Sequence, residues 1–129
     1  MSPRPFVPPD LTDLELDVMD VVWDHGEATV RDVMEALNTE AAKPRAYTTY
    51  MTVVHRLDSK GLLERQRDGK TDRYRARLGR EQFQERRVRD EVGALLGKYG
   101  DVALAHFARE VGQLDPARRR ALRRLGGKD

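Results

Sequence analysis

Apolar and polar positions recur with helical spacing through the first forty residues and predict two helices there. Thr12 and Glu15 have the spacing of a capping box, and apolar residues then recur every three or four positions until Gly26. Thr29 and Asp32 repeat a cap pattern ahead of a second apolar stripe. Two short amphipathic helices, each with a side-chain cap, are therefore predicted between residues 12 and 38.

A third helix is predicted over residues 45–60, and Gly61 closes it. When successive residues are set about 100° apart, its apolar side chains share one arc: Tyr47, Tyr50, Met51, Val53, Val54 and Leu57. The opposite arc holds Thr48, Thr49, Thr52, His55, Arg56 and Ser59. Threonine is a poor helix former, so three threonines on an exposed arc cost helix stability. Because hydroxyls and guanidinium groups reach phosphates and base edges in DNA, we interpret the segment as a recognition helix; the alternative is that packing tolerates exposed threonines.

Two short strands are predicted at residues 62–67 and 73–77, joined by a turn that contains Gly69. In the second strand Arg73, Arg75 and Arg77 fall on one face and Tyr74 on the other. Such arginines either contact a phosphate backbone or protect a sheet edge from aggregation. Five arginines across both strands, against two acids in the turn, favour the phosphate contact. Three helices followed by a hairpin are the order of a winged helix-turn-helix domain, predicted here for residues 10–78.

Three further helices are predicted within residues 79–129, divided by Gly100 and by Asp115-Pro116. The last of them surrounds two leucines with five arginines. Because three helices of this size make too small a core to fold alone, a second copy of the segment is the simplest partner, which predicts a helical dimerisation domain. The predicted interface residues are Val92, Leu95, Leu96, Tyr99, Leu104, Phe107, Val111 and Leu122. Residues 1–9, with four prolines, are predicted to form a disordered arm.

The charge is distributed unevenly, although the net charge is only +2. Residues 1–42 hold ten acidic and two basic side chains, whereas residues 43–80 hold eleven basic and four acidic ones. The positive segment contains the predicted recognition helix and the hairpin, which is the pattern expected for a polyanion partner. The carboxylates Asp13, Asp17, Asp20 and Asp24 line a face of the first helix, where a solvated face is favoured over a metal or acid–base site.

Composition argues against several other classes of protein. The chain has no cysteine, which leaves neither disulfides nor thiolate metal sites. It has no signal-peptide pattern and no apolar run near the roughly 18–20 residues that span a bilayer, which predicts a cytoplasmic protein without membrane insertion. His25, His55 and His106 are far apart in the sequence and predict no metal site. No motif points to an enzyme; the alternatives are a winged-helix sensor of a metal or small molecule and a winged-helix protein-interaction module.

Several of these segments together resemble one family of bacterial regulators. They are Leu11-Thr12-Asp13-Leu14-Glu15-Leu16-Asp17-Val18-Met19 with Val22-Trp23, Ala46-Tyr47-Thr48-Thr49, Arg56-Leu57, Lys60-Gly61-Leu62, Asp68-Gly69 and Arg73-Tyr74. In order and spacing they resemble the BlaI/MecI penicillinase-repressor family over roughly residues 10–125. The resemblance implies a mainly α fold with a small β-hairpin, a C-terminal dimerisation domain and repression as a homodimer on double-stranded operators of two inverted half-sites. It also implies a bacterial cytoplasmic protein without cofactor that controls β-lactamase or related resistance genes.

The candidate DNA-contacting side chains lie on the third helix and around it. We expect Thr48, Thr49, Thr52, His55 and Arg56 to face the major groove, with Arg45 and Lys43 at its entrance for phosphates. Lys70, Arg73 and Arg75 are the predicted contacts of the hairpin. For His55 a neutral surface position is the alternative.

The resemblance also implies how repression is relieved. In this family a membrane-bound metalloprotease sensor signals cleavage inside the dimerisation domain, and by spacing the bond falls between His106 and Phe107. The staphylococcal-type pattern has asparagine before the phenylalanine, and this chain has His106 instead. A packed interface histidine is therefore the alternative role for His106.

Overall fold

The computed structural model describes residues 6–126 and has the predicted order of three helices, a hairpin and three more helices. The prediction of a mainly α fold with one small antiparallel hairpin is confirmed. The elements are α1 (Asp13–His25), α2 (Val30–Glu40), α3 (Tyr47–Ser59), β1 (Leu63–Asp68), β2 (Thr71–Ala76), α4 (Arg80–Tyr99), α5 (Asp101–Gly112) and α6 (Pro116–Gly126). They form two compact units, Met1–Val88 and Arg89–Asp129.

Side-chain caps start α1 and α2 as the spacing predicted. The Thr12 hydroxyl accepts a hydrogen bond from the Glu15 amide at 3.2 Å, and the Glu15 carboxylate accepts one from the Thr12 amide at 3.0 Å. Thr29 and Asp32 make the same reciprocal pair, with both distances 3.0 Å. Each pair satisfies two amides that the helix itself leaves without a partner. Gly26, at φ 82°, ends α1.

The core of the first unit forms where α1, α2 and α3 pack together, with α1 and α3 against one face of the hairpin. Tyr50, Val53, Val54 and Leu57 of α3 are buried, as the apolar arc predicted. From the other elements the buried residues are mainly Val18, Met19, Val22, Val33, Leu62, Leu63 and Tyr74. Tyr74 also joins the sheet to the connection between α1 and α2, because its backbone exchanges two hydrogen bonds with Ala28, at 2.9 and 3.0 Å.

One ion pair links the start of α1 to the end of α3. The Lys60 ammonium lies 2.7 Å from the second carboxylate oxygen of Glu15, whose side chain is only 1% exposed. Burial raises the pKa of the Glu15 carboxyl, but the hydrogen bonds from Lys60 and Thr12, with the Lys60 charge, outweigh it and leave this pKa below its ordinary value. The ionised carboxylate is therefore the form that the fold holds.

The first unit continues into α4, past the boundary predicted after Leu78. The Trp23 indole N–H donates to the Leu78 carbonyl at 2.9 Å, and the Trp23 and Phe83 rings lie 5.4 Å apart. Arg80 stacks on Trp23 and pairs with Asp20 and Asp24, so half of the acidic row of α1 is neutralised within the chain.

Part of the predicted N-terminal arm lies outside the described residues, since these begin at residue 6. Residues 6–9 have no regular secondary structure, but they are held in place. The Phe6 carbonyl accepts a hydrogen bond from Arg86 at 2.8 Å, the Pro8 carbonyl accepts one from Arg87 at 3.1 Å, and Pro8 is buried.

Candidate nucleic-acid interface

The polar arc of α3 is exposed along its length. Thr48, Thr49, Thr52, His55 and Arg56 are all exposed, and so are Lys43 and Arg45 before the helix. The Thr52 hydroxyl donates its proton to the Thr48 carbonyl at 2.9 Å. A hydroxyl has one proton and two acceptor positions, so Thr52 presents hydrogen-bond acceptors to a ligand.

The start of α3 is fixed by a side chain of α2. Ala46, the residue before the helix, provides no side-chain cap. Instead, the Asn38 side chain accepts from the Arg45 amide at 3.0 Å and donates to the Arg45 carbonyl at 2.9 Å. The buried Tyr50 also donates its hydroxyl proton to Asn38. Asn38 therefore sets the direction in which α3 leaves the turn.

A cleft of about 360 Å³ lies between α2, α3 and the hairpin turn, and we refer to it as the wing cleft. Tyr47, Met51 and His55 line it from α3, because residues four apart lie on one line of a helix. The other lining residues are Thr29, Val30, Arg31, Lys70, Thr71, Asp72 and Tyr74. The structure thus brings two predicted contacts, His55 and Lys70, to one site beside the recognition helix.

Arg31 lines the wing cleft although it is not among the predicted contacts, and Tyr47 departs from its predicted packed position. Tyr47 was placed on the packed arc of α3, but it is 44% exposed because its ring faces the open wing cleft. Arg31 lies at the second position of α2, where the helix dipole disfavours a cation. A positive charge in that position is a signal for a contact outside the helix, and it is readable from the sequence.

The wing arginines Arg73 and Arg75 do not line the wing cleft. The strand register places them on the hairpin face opposite the buried Tyr74. Arg73 lies 3.0 Å from Asp68 and 3.6 Å from Glu27, and Arg75 lies 3.3 Å from Glu27. In the single chain both guanidinium groups are therefore held by carboxylates.

Residues 6–126 contain neither a metal-binding cluster nor a membrane-spanning helix. No cluster of three or more His, Asp or Glu side chains in this part of the chain is arranged to hold a metal ion. None of its helices combines the length and the apolar composition that crossing a membrane requires.

One family model and two relatives each match most of the chain. The family model described as penicillinase repressor matches residues 11–126. The chain is 40% identical over 118 residues to the transcriptional regulator BlaI of two strains of Mycobacterium tuberculosis, covering 89% of this chain and 84% of the relative.

Solved structures of BlaI proteins are also similar to the chain. The solution structure of the DNA-binding domain of the repressor BlaI superposes with a TM-score of 0.51 at 25% identity, covering 61% of this chain and 93% of that domain. The monomeric form of Bacillus licheniformis BlaI in complex with the blaP half-operator has a TM-score of 0.49 at 27% identity, covering 58% of this chain and 89% of that one.

Proposed function

The chain belongs to the penicillinase repressor family and is a DNA-binding transcriptional repressor rather than an enzyme, and we propose that it acts as a homodimer on an inverted-repeat operator. The observation that supports operator binding is the exposed polar arc of α3 beside a cleft lined by Arg31 and Lys70. Hydroxyls suit base edges, whereas the cations suit the phosphates that flank them. The site of action we propose is DNA in the bacterial cytoplasm.

The side chains of α3 divide between base and phosphate contacts. Thr48, Thr49 and Thr52 are short enough to approach base edges closely when α3 lies in the major groove. Arg56 and His55 continue the same face toward the end of the helix. Lys43 and Arg45, exposed ahead of α3, are placed to meet the backbone at the groove entrance.

The wing cleft is proposed to hold the DNA strand that passes between the recognition helix and the wing. Arg31 and Lys70 supply positive charge, and the Tyr47 phenol supplies a hydrogen-bond donor. Arg73 and Arg75 remain proposed phosphate contacts on the outer face of the wing. Their ion pairs with Glu27 and Asp68 are exposed and screened by water, so exchange of carboxylate for phosphate costs little.

Arg31→Gln tests the wing cleft directly. We expect the variant to bind operator and scrambled duplexes more weakly by a similar factor, because a phosphate contact carries no sequence information. The slope of log affinity against log salt concentration should fall by about one per protomer. Fluorescence anisotropy across a salt series measures both quantities. The control is Arg109→Gln, which removes the same charge from an exposed position in α5. Equal behaviour of the two variants would exclude the phosphate contact.

Dimerisation through the second unit is proposed from its exposed apolar side chains. Leu95, Tyr99, Val102, Leu104, Phe107, Val111 and Leu122 are 37–64% exposed in the single chain. Leu95, Tyr99, Val102 and Phe107 line an almost wholly apolar groove of about 260 Å³. An apolar surface of this kind is covered in solution, and a second copy of the same helices supplies a complementary one.

Release of repression by proteolysis, and control of β-lactamase or related resistance genes, are proposed from the family. The bond between His106 and Phe107 lies in the middle of α5. Because a protease takes an extended chain, α5 must open locally before this bond can be cut on the signal of a membrane-bound metalloprotease sensor. Immunoblots of cells exposed to a β-lactam should show a fragment ending at His106. Derepression with the chain intact would refute this route.

A further inference from the structure

The last helix, α6, carries an unbalanced positive charge. Arg118, Arg119, Arg120, Arg123 and Arg124 are all exposed, and the helix contains no acidic residue. Over residues 6–126 none of these five side chains forms an ion pair with a carboxylate, and Arg119 donates only to the Leu114 carbonyl, at 3.0 Å. In the first unit, by contrast, Arg65, Arg73, Arg75 and Arg80 each pair with a carboxylate.

Four of the five arginines of α6 share one face, and Arg118 lies among the apolar residues of the other face. At helical spacing Arg119, Arg120, Arg123 and Arg124 share one arc, while Ala121, Leu122 and Leu125 lie on the other. Arg119 with Arg123, and Arg120 with Arg124, are like-charge pairs four residues apart, and such pairs destabilise a helix. A merely solvated face normally mixes acids with bases and avoids this repulsion. The arrangement therefore indicates that an anionic partner offsets the repulsion.

We propose that the arginine face of α6 binds the phosphate backbone of double-stranded DNA, as a contact additional to those of α3 and the wing. The proposal rests on the repressor function. The four arginines occupy about 7.5 Å of helix, or one charge per about 2 Å. Each strand of duplex DNA carries about one charge per 3.4 Å of helix axis, so a face of this length meets about two phosphates of one strand. Guanidinium groups also bind phosphate oxygens through two parallel hydrogen bonds.

Two other kinds of anionic partner are alternatives to DNA. A membrane-surface helix buries a broad apolar face with aromatic or many leucine side chains, and α6 offers two leucines and two alanines. The carboxylates of a second copy are the other option, since Asp13 and Asp17 of α1 are exposed. The experiment distinguishes both of these partners from DNA.

The experiment compares full-length Arg120→Gln/Arg124→Gln with the control Arg120→Lys/Arg124→Lys. The control keeps the charge and the helix propensity at the same positions. Affinity for a long operator duplex and for a scrambled duplex of equal length is measured over a salt series. With the glutamine variant we expect the salt slope to fall by about two per protomer on both duplexes, whereas the lysine variant keeps the slope of the natural chain.

An unchanged slope in the glutamine variant would overturn the proposal. Analytical ultracentrifugation measures how strongly the glutamine variant dimerises. If this variant dimerises more weakly than the natural chain, and its monomer binds DNA with the same salt slope as the monomer of the natural chain, the arginines contact the second copy. Sedimentation with phosphatidylglycerol vesicles assigns them to lipid if only the glutamine variant fails to bind while its DNA slope is unchanged. Both results overturn the DNA contact. If the natural chain does not prefer the operator over the scrambled duplex, the operator function is refuted. The role of α6 is still decided in that case, by comparing the salt slopes of the natural chain and the glutamine variant on scrambled DNA.

Discussion

Lys60→Met is expected to lower the free energy of unfolding by about 3 kcal/mol. The substitution leaves the Glu15 carboxylate, 1% exposed, without its cationic partner at 2.7 Å. Because Lys60 is 30% exposed, water partly screens the pair, and we expect a loss of unfolding free energy at the lower end of the range for breaking a buried pair. Urea denaturation of both proteins at neutral pH measures the difference. The double variant Glu15→Gln/Lys60→Met is the control, because glutamine keeps the capping hydrogen bond without the charge. It should be more stable than Lys60→Met alone.

The same pair predicts how stability depends on pH. The pKa of Glu15 in the folded chain lies below its ordinary value of 4.5, because the bonds from Lys60 and Thr12 outweigh the opposing effect of burial. A lowered pKa adds stability above the unfolded value and loses it as the pH falls through the folded value. The difference in stability between the natural chain and Lys60→Met should therefore shrink below about pH 4.5. A difference that stays constant from pH 7 to 3 would show that Glu15 ionisation is not its source.

Phe107→Glu is expected to make the chain monomeric and to weaken operator binding by more than about 100-fold. Phe107 is 39% exposed and lines the apolar groove of the second unit, so an acid there puts an unpaired charge into the proposed interface. Two half-sites bound by linked protomers gain affinity that a monomer lacks. Analytical ultracentrifugation and operator titrations measure the two effects, with Phe107→Leu as the control. A monomeric variant with undiminished operator affinity would separate dimerisation from binding.

Short-range spacing was enough to predict the helices and their faces. The caps at Thr12 and Thr29, the buried arc of α3 and the glycine stops each depend on residues within one or two turns. That is why the fold and the exposed threonines could be predicted from the sequence. The exposure of Tyr47 could not, because the packing at the start of α3 depends on where the hairpin turn lies.

Contacts between distant residues were out of reach of the sequence. Glu15 meets Lys60 across 45 positions, and Arg75 meets Glu27 across 48. Nothing in the local pattern distinguishes Glu27 from other exposed acids, yet it holds Arg75 and contacts Arg73 on the wing. Asn38, the last residue of the two helices predicted between residues 12 and 38, likewise has a role that local spacing does not show, because its side chain positions the start of the recognition helix.

Selection of binding sites from a library of random duplexes tests the central claim, that the polar arc of α3 reads an inverted-repeat operator. The natural chain should select inverted half-sites whose centres are about 10 base pairs, or a multiple, apart. Thr52→Ala should select the same spacing but lose preference at one base pair per half-site. Because Thr52 donates its proton to Thr48, that base should present an amino group, cytosine N4 or adenine N6. Selection of no common sequence by the natural chain, or of identical half-sites by Thr48→Ala, Thr49→Ala and Thr52→Ala, would contradict the claim.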